Sequence, residues 1–150
     1  PSIERELLQS ILASSAVPVK VVEGCGYDVM GACDAALATS GTVTLEAALC
    51  GLPSVICYTA SPLSMWIAKH MVYVKYIGLP NILAGREILP ELIQEKMTPD
   101  HMAASILHFL EPKAASAVRE EMRQAVAKLG QPGAVDRTAE LILETAKENP

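Results

Sequence analysis

Ile3, Leu7, Leu8, Ile11 and Leu12 recur at the spacing of one helical face, so the chain opens on a pattern that predicts an amphipathic helix. Such a face needs something to cover. The run that follows, Val17, Pro18, Val19, Lys20, Val21 and Val22, is β-branched enough to supply a strand, with Pro18 at its first residue where no ladder bond is lost. Between Gly24 and Pro80 only Asp28, Asp34, Glu46, Lys69 and Lys75 carry a full charge at neutral pH, so this middle stretch reads as largely buried. Within it the pattern predicts a short helix over 26–33, a strand over 35–38, a helix over 42–50 and a strand over 54–57. Gly51 and Pro53 stop the second helix in the usual order.

A helix entered through Pro62 is expected over 61–71, then a strand over 72–77 and a turn at Gly78-Leu79-Pro80-Asn81. Beyond residue 86 the pattern changes to three amphipathic helices, over 99–110, 113–129 and 134–147. In the second, Val118, Met122, Ala125 and Leu129 make the apolar stripe. Gln131-Pro132-Gly133 sets the last helix apart. Apolar strands alternating with helices predict an α/β fold, a Rossmann-like parallel sheet flanked by helices, with a helical carboxyl-terminal extension.

The most informative chemistry lies at Thr39-Ser40-Gly41-Thr42-Val43-Thr44-Leu45-Glu46. Small hydroxyls and free backbone N–H groups at a helix N-terminus suit a phosphate, and in open parallel sheets ligands sit at the carboxyl ends of strands, where Ser40 falls. Glu46, about one turn further in, suits a ribose diol. An ordinary capping turn accounts for the same residues, because Ser and Thr cap helices everywhere.

Composition narrows the rest. Half of the chain is hydrophobic (51%) but only 4% aromatic, so Ala, Leu, Ile and Val must build the core. A net charge of −5 with no basic run argues against nucleic acid. No apolar stretch approaches the roughly 18 residues of a spanning helix, and a soluble intracellular chain is the expectation. Cys25, Cys33, Cys50 and Cys57 lack metal-site spacing and read as reduced thiols. His101 and His108 share a face without a third ligand, and Asp28, Asp34, Asp100 and Asp136 form no close pair, so no metal is expected.

Taken together, Asp34-Ala35-Ala36-Leu37, Ser40 through Glu46, Trp66-Ile67-Ala68-Lys69, Leu79 through Glu87 and Pro90-Glu91-Leu92-Ile93-Gln94 resemble the carboxyl-terminal part of the lipid-A-disaccharide synthase family. These are bacterial two-domain inverting glycosyltransferases of the GT-B type. Cys33 stands where members often have Ser. The resemblance implies residues 1–112 as an incomplete Rossmann-like UDP-sugar-binding domain, truncated at its start, and 113–150 as helices packing on it or on a neighbour. It implies a UDP-2,3-diacylglucosamine donor, a 2,3-diacylglucosamine 1-phosphate acceptor bound through another domain, release of UDP, and no metal or cofactor. Carried over by residue, Ser40, Gly41 and Thr42 would hold the diphosphate, Glu46 the ribose, and Gly24 and Cys25 the uracil through main-chain groups. Asn81, Glu91 and Gln94 would lie near the sugar or its phosphate. Arg86 would offset diphosphate charge, or else form a surface ion pair.

The family's Gly-Ser-Arg phosphate loop and its amino-terminal domain, the expected source of the catalytic base, are not in this sequence, so the chain by itself is expected to be inactive. Acylated substrates imply peripheral contact with the inner membrane from the cytoplasmic side. Met65, Trp66, Ile67, Met71 and Val72, with Lys69 and Lys75, are a candidate patch for it, or else core. A homodimer is compatible with the resemblance. Two rivals stay open: another UDP-N-acetylglucosamine-type transferase or epimerase domain, and a non-catalytic binding or interaction module.

Overall fold

The computed structural model describes residues 4–61 and 75–148. Three parallel strands, β1 (Ala36–Thr39), β2 (Ser54–Tyr58) and β3 (Glu91–Ile93), form one sheet in the order β1-β2-β3. Ala36 faces Ser54 and Thr39 faces Cys57, while Ile56 faces Glu91 and Tyr58 faces Ile93. β2 lies in the middle, and its residues Ser54 to Cys57 are all buried, as expected of a parallel strand covered on both faces.

The helical elements are α1 (Arg5–Ala13), α2 (Gly26–Ala32), α3 (Thr42–Leu49), α4 (Leu79–Ala84), a 3-10 turn (Gln94–Lys96), α5 (Pro99–Leu110), α6 (Pro112–Ala127) and α7 (Ala134–Glu148). The small residues Thr44, Ala47 and Ala48 form the buried face of α3, which lets that helix lie close against β1 and β2. Its end is closed by paired bonds from Leu52 N to Ala47 O (2.9 Å) and from Gly51 N to Ala48 O (3.1 Å), with Gly51 left-handed at φ 71. Pro53 then turns the chain into β2.

Helix α6 packs on α3, α4 and α5 and places Val118, Met122 and Ala125 in the core beside Val55, Ile56 and Leu89. The expected stripe therefore holds except at Leu129, which lies past the helix end and is exposed. Arg119 Nε donates to Gly51 O at 3.1 Å, and Lys128 Nζ donates to Leu83 O at 2.7 Å, so α6 also satisfies carbonyls at the ends of α3 and α4. Residues 134–147 of α7 are exposed.

Three expectations need correction. Val17 to Val22 forms no strand, and Val17, Val19, Val21 and Val22 are exposed. Branched side chains favour a strand only where a neighbouring strand supplies the ladder, and none pairs with this run among the described residues. Leu79 to Ala84 is a helix and not a turn: Pro80 occupies its first turn, where no N–H is missed, and Gly85 caps it at φ 74. Lys75 to Ile77 joins no strand, while residues 62–71 of the expected helix, the residues 72–74 and the patch around Trp66 other than Lys75 lie outside the described residues. Among the described residues no helix is long and apolar enough to cross a membrane.

Candidate functional site

The turn between β1 and α3 is built around Gly41, whose φ of 149 and ψ of −166 fall in a region open essentially to glycine alone. A Cβ there would meet no atom within 4 Å, so the backbone and not crowding demands glycine. With glycine at the capping position, α3 has no side-chain cap for its first amides. The Gly41 carbonyl is instead occupied from within the helix, by Thr44 Oγ1 at 2.8 Å and Thr44 N at 3.2 Å. The helix start thus turns donors outward with the positive end of its dipole behind them.

Glu46 is half-buried on the same helix, and among the described residues its carboxylate has no hydrogen-bond or ion-pair partner. Thr42 is exposed, whereas Ser40 is half-buried and its Oγ donates to Ile77 O at 3.0 Å. Ser40 follows the carboxyl end of β1, and Gln94 follows that of β3. Gln94 holds a left-handed φ of 52, unusual for a residue with a side chain, and its Nε2 donates to Ala60 O at 2.8 Å. Ser40 and Gln94 therefore sit at the same end of the sheet.

Behind this end lies a polar hub. Asn81 is completely buried, and its amide makes four bonds. Oδ1 accepts from Ile88 N at 2.8 Å and Leu89 N at 2.9 Å, while Nδ2 donates to Leu89 O and Glu91 Oε1, each at 2.8 Å. That uses the full capacity of a primary amide, which leaves nothing for a ligand. Glu91 also accepts from Gly78 N at 3.0 Å and Ile77 N at 3.0 Å. Gly78 sits at a close approach, since a Cβ there would overlap Ile56 Cδ1 and force that side chain to move. Residue type marks Gly78 only as turn punctuation and Ile77 only as the end of an expected strand, because a backbone group that receives a side chain from a distant segment leaves no trace in the sequence.

The other candidates are placed elsewhere. Arg86 pairs with Glu121 on α6 at 3.0 Å, with both side chains partly exposed. Gly24, at φ 80, and Cys25 form the start of α2, with Cys25 half-buried. No hydrogen bond joins that turn to Ser40–Thr42 among the described residues. His101 Nδ1 lies 3.0 Å from Lys96 O, and His108 Nδ1 lies 3.9 Å from Glu111. Grooves of about 510 and 550 Å³ flank α6, the first beside Ile88–Pro90 and the second beside Ala48–Gly51, and neither is lined by the β1–α3 turn.

The family model for lipid-A-disaccharide synthetase matches residues 2–145. The lipid-A-disaccharide synthase of Geobacter sulfurreducens is 43% identical over 135 residues, covering 89% of this chain and 35% of that protein. That of Myxococcus xanthus is 41% identical over 148 residues, covering 96% of this chain and 38% of its own length. That of Anaeromyxobacter sp. (strain K) is 43% identical over 145 residues, covering 95% and 38%. The chain thus spans little more than a third of the length of these relatives.

Proposed function

The chain belongs to the lipid-A-disaccharide synthetase family, and from that premise we propose that it forms the donor-binding part of an inverting glycosyltransferase. The donor is a UDP-linked 2,3-diacylglucosamine, and the acceptor 2,3-diacylglucosamine 1-phosphate is held by another part of the whole protein. In the transfer an acceptor hydroxyl attacks the anomeric carbon, the bond to the diphosphate breaks, UDP departs, and the hydroxyl proton passes to a base that the proposal assigns outside this chain. A β-1,6-linked disaccharide results.

The observation that carries this reading is the glycine-capped start of α3 at the carboxyl end of a parallel strand. Backbone N–H groups fixed there need little reorganisation as negative charge builds on the leaving diphosphate. In this proposal the main chain of Ser40, Gly41 and Thr42 holds the diphosphate, Glu46 takes the ribose diol, and the main chain at Gly24 and Cys25 receives the uracil. Gln94, at the same end of the sheet, faces the sugar side. Acylated substrates bring the whole protein to a membrane surface on its cytoplasmic side, and contact there is peripheral.

Equilibrium titration of UDP onto the chain tests the proposal. Saturable binding that is lost in Gly41→Ala, with the fold retained, is the expected result. Absence of binding, or binding indifferent to Gly41→Ala, overturns it. With both substrates supplied, the chain alone is expected to form no disaccharide.

A further inference from the structure

We infer that Glu91 is a positioning residue for the β1–α3 turn, acting on Ser40 through the single peptide group between Ile77 and Gly78. The inference rests on the nucleotide-binding reading of that turn for its functional meaning, though not for its geometry.

A trans peptide points its N–H and its C=O in opposite directions, and no cis bond occurs among the described residues. Here the N–H end, Gly78 N, donates to Glu91 Oε1 at 3.0 Å, and the C=O end, Ile77 O, accepts from Ser40 Oγ at 3.0 Å. One rigid plane therefore links the carboxylate to the hydroxyl. Glu91 grips the preceding amide as well, through Oε2 to Ile77 N at 3.0 Å, so the plane is held against rotation. Asn81 Nδ2 at 2.8 Å steadies the carboxylate in turn, and Asn81 is itself completely buried.

The chemical consequence concerns the single proton of the Ser40 hydroxyl. While that proton is donated to Ile77 O, Ser40 has no O–H left for an anion, and an anion at the turn meets backbone amides instead. A hydroxyl released from Ile77 O would swing its proton toward a diphosphate and let the turn relax away from the arrangement in which the amides at Gly41 and Thr42 face the anion. Fixing the peptide plane fixes the hydroxyl, and with it the direction of the amides at Gly41 and Thr42. Glu91 and Asn81, which the resemblance places near the donor sugar, thus act from behind the site.

The test measures UDP affinity and ligand-free amide spectra for the chain and for Glu91→Gln, Ser40→Ala, their double variant, and Val118→Ala as a core-destabilised control away from the turn. Expected are weakening of UDP by about tenfold in each single variant, the size of one hydrogen bond, no further weakening in the double variant, and unchanged affinity in Val118→Ala. In the ligand-free chain, Glu91→Gln should shift the Gly41 and Thr42 amide resonances and speed their exchange. Losses that multiply in the double variant, or a Val118→Ala loss equal to that of Glu91→Gln, overturn the linkage. Unmoved Gly41 and Thr42 amides overturn it whether or not UDP binds. If the parent chain ignores UDP while those amides respond as expected, the linkage stands and the nucleotide reading falls.

Discussion

Asn81 pairs with Leu89 as one strand residue pairs with another: its Oδ1 accepts the Leu89 N–H at 2.9 Å, and its Nδ2 donates to the Leu89 carbonyl at 2.8 Å. A side-chain amide thereby stands in for a missing strand and satisfies the buried backbone that leads into β3. Asn81→Ala leaves several buried groups unpaired at once and is expected to cost about 3 to 5 kcal/mol. Asn81→Asp should be no milder, since it sets an acceptor against both Leu89 O and Glu91. Urea unfolding checks both, and a loss below about 1 kcal/mol would count against the hub.

Gly78 and Ile56 should show strong coupling. Gly78→Ala drives a methyl group into Ile56 Cδ1 in a fully buried position, and overpacking of this kind costs about 1 to 3 kcal/mol. Ile56→Val removes that one carbon, so the double variant should recover part of the loss, although Ile56→Val alone destabilises by about 0.5 to 1.5 kcal/mol. Simple addition in a double-mutant cycle would show that the close approach is not the cause.

Glu46 is expected to act on the pentose alone. Glu46→Ala should weaken UDP by about tenfold, the loss of a hydrogen bond to a charged group, and leave 2′,3′-dideoxy-UDP nearly unaffected. Calorimetric titration of both nucleotides makes the comparison. An equal loss for the two would place the carboxylate's influence elsewhere.

Burial raises the thiol pKa of Cys57 above its ordinary value, while Cys33 and Cys50 are exposed. Iodoacetamide at mildly alkaline pH should therefore modify Cys33 and Cys50 first and Cys57 only on unfolding. Cys57 is neutral in the folded chain at a pH where the unfolded chain has begun to lose that proton. Its contribution to stability is thus complete below the unfolded value and declines as pH rises above it. Replacing Cys57 by Ala should flatten the alkaline limb of the stability profile, as thermal unfolding across that range would reveal.

The middle of the fold was legible where local signals agreed. The Ser40-Gly41-Thr42 turn, α3 and its Gly51-Leu52-Pro53 stop all follow from residue type, because each depends on the backbone preferences of neighbours in sequence. β3 was not legible: three residues after Pro90 carry no periodicity, and their extended form comes from Ile56, whose N–H donates to Pro90 O at 2.9 Å. α4 reads as a turn because Gly-Leu-Pro-Asn is common punctuation, whereas its winding goes with Pro80 in the first turn, the Gly85 cap and the burial of Asn81. Val17 to Val22 failed in the opposite sense, with a strong strand preference and no partner among the described residues to express it. In the site, the identity of the turn could be read, but the tie from Ser40 to Glu91 could not, since it runs through a main-chain group common to every residue.

The register of the sheet also orders its assembly in time. Ala36 meets Ser54 across a short loop that is mostly α3, whereas Ile56 must wait for Glu91 from much further along the chain. Closing the longer loop loses more chain entropy, so β1, α3 and β2 are favoured to condense first, with the third strand arriving late. Stopped-flow refolding should then find Val55→Ala slowing the folding arm and Leu92→Ala mainly hastening the unfolding arm. On this route the glycine-capped bend at Gly41 takes shape early as a loose loop, and acquires its final rigidity only when the last strand docks and brings its carboxylate into place.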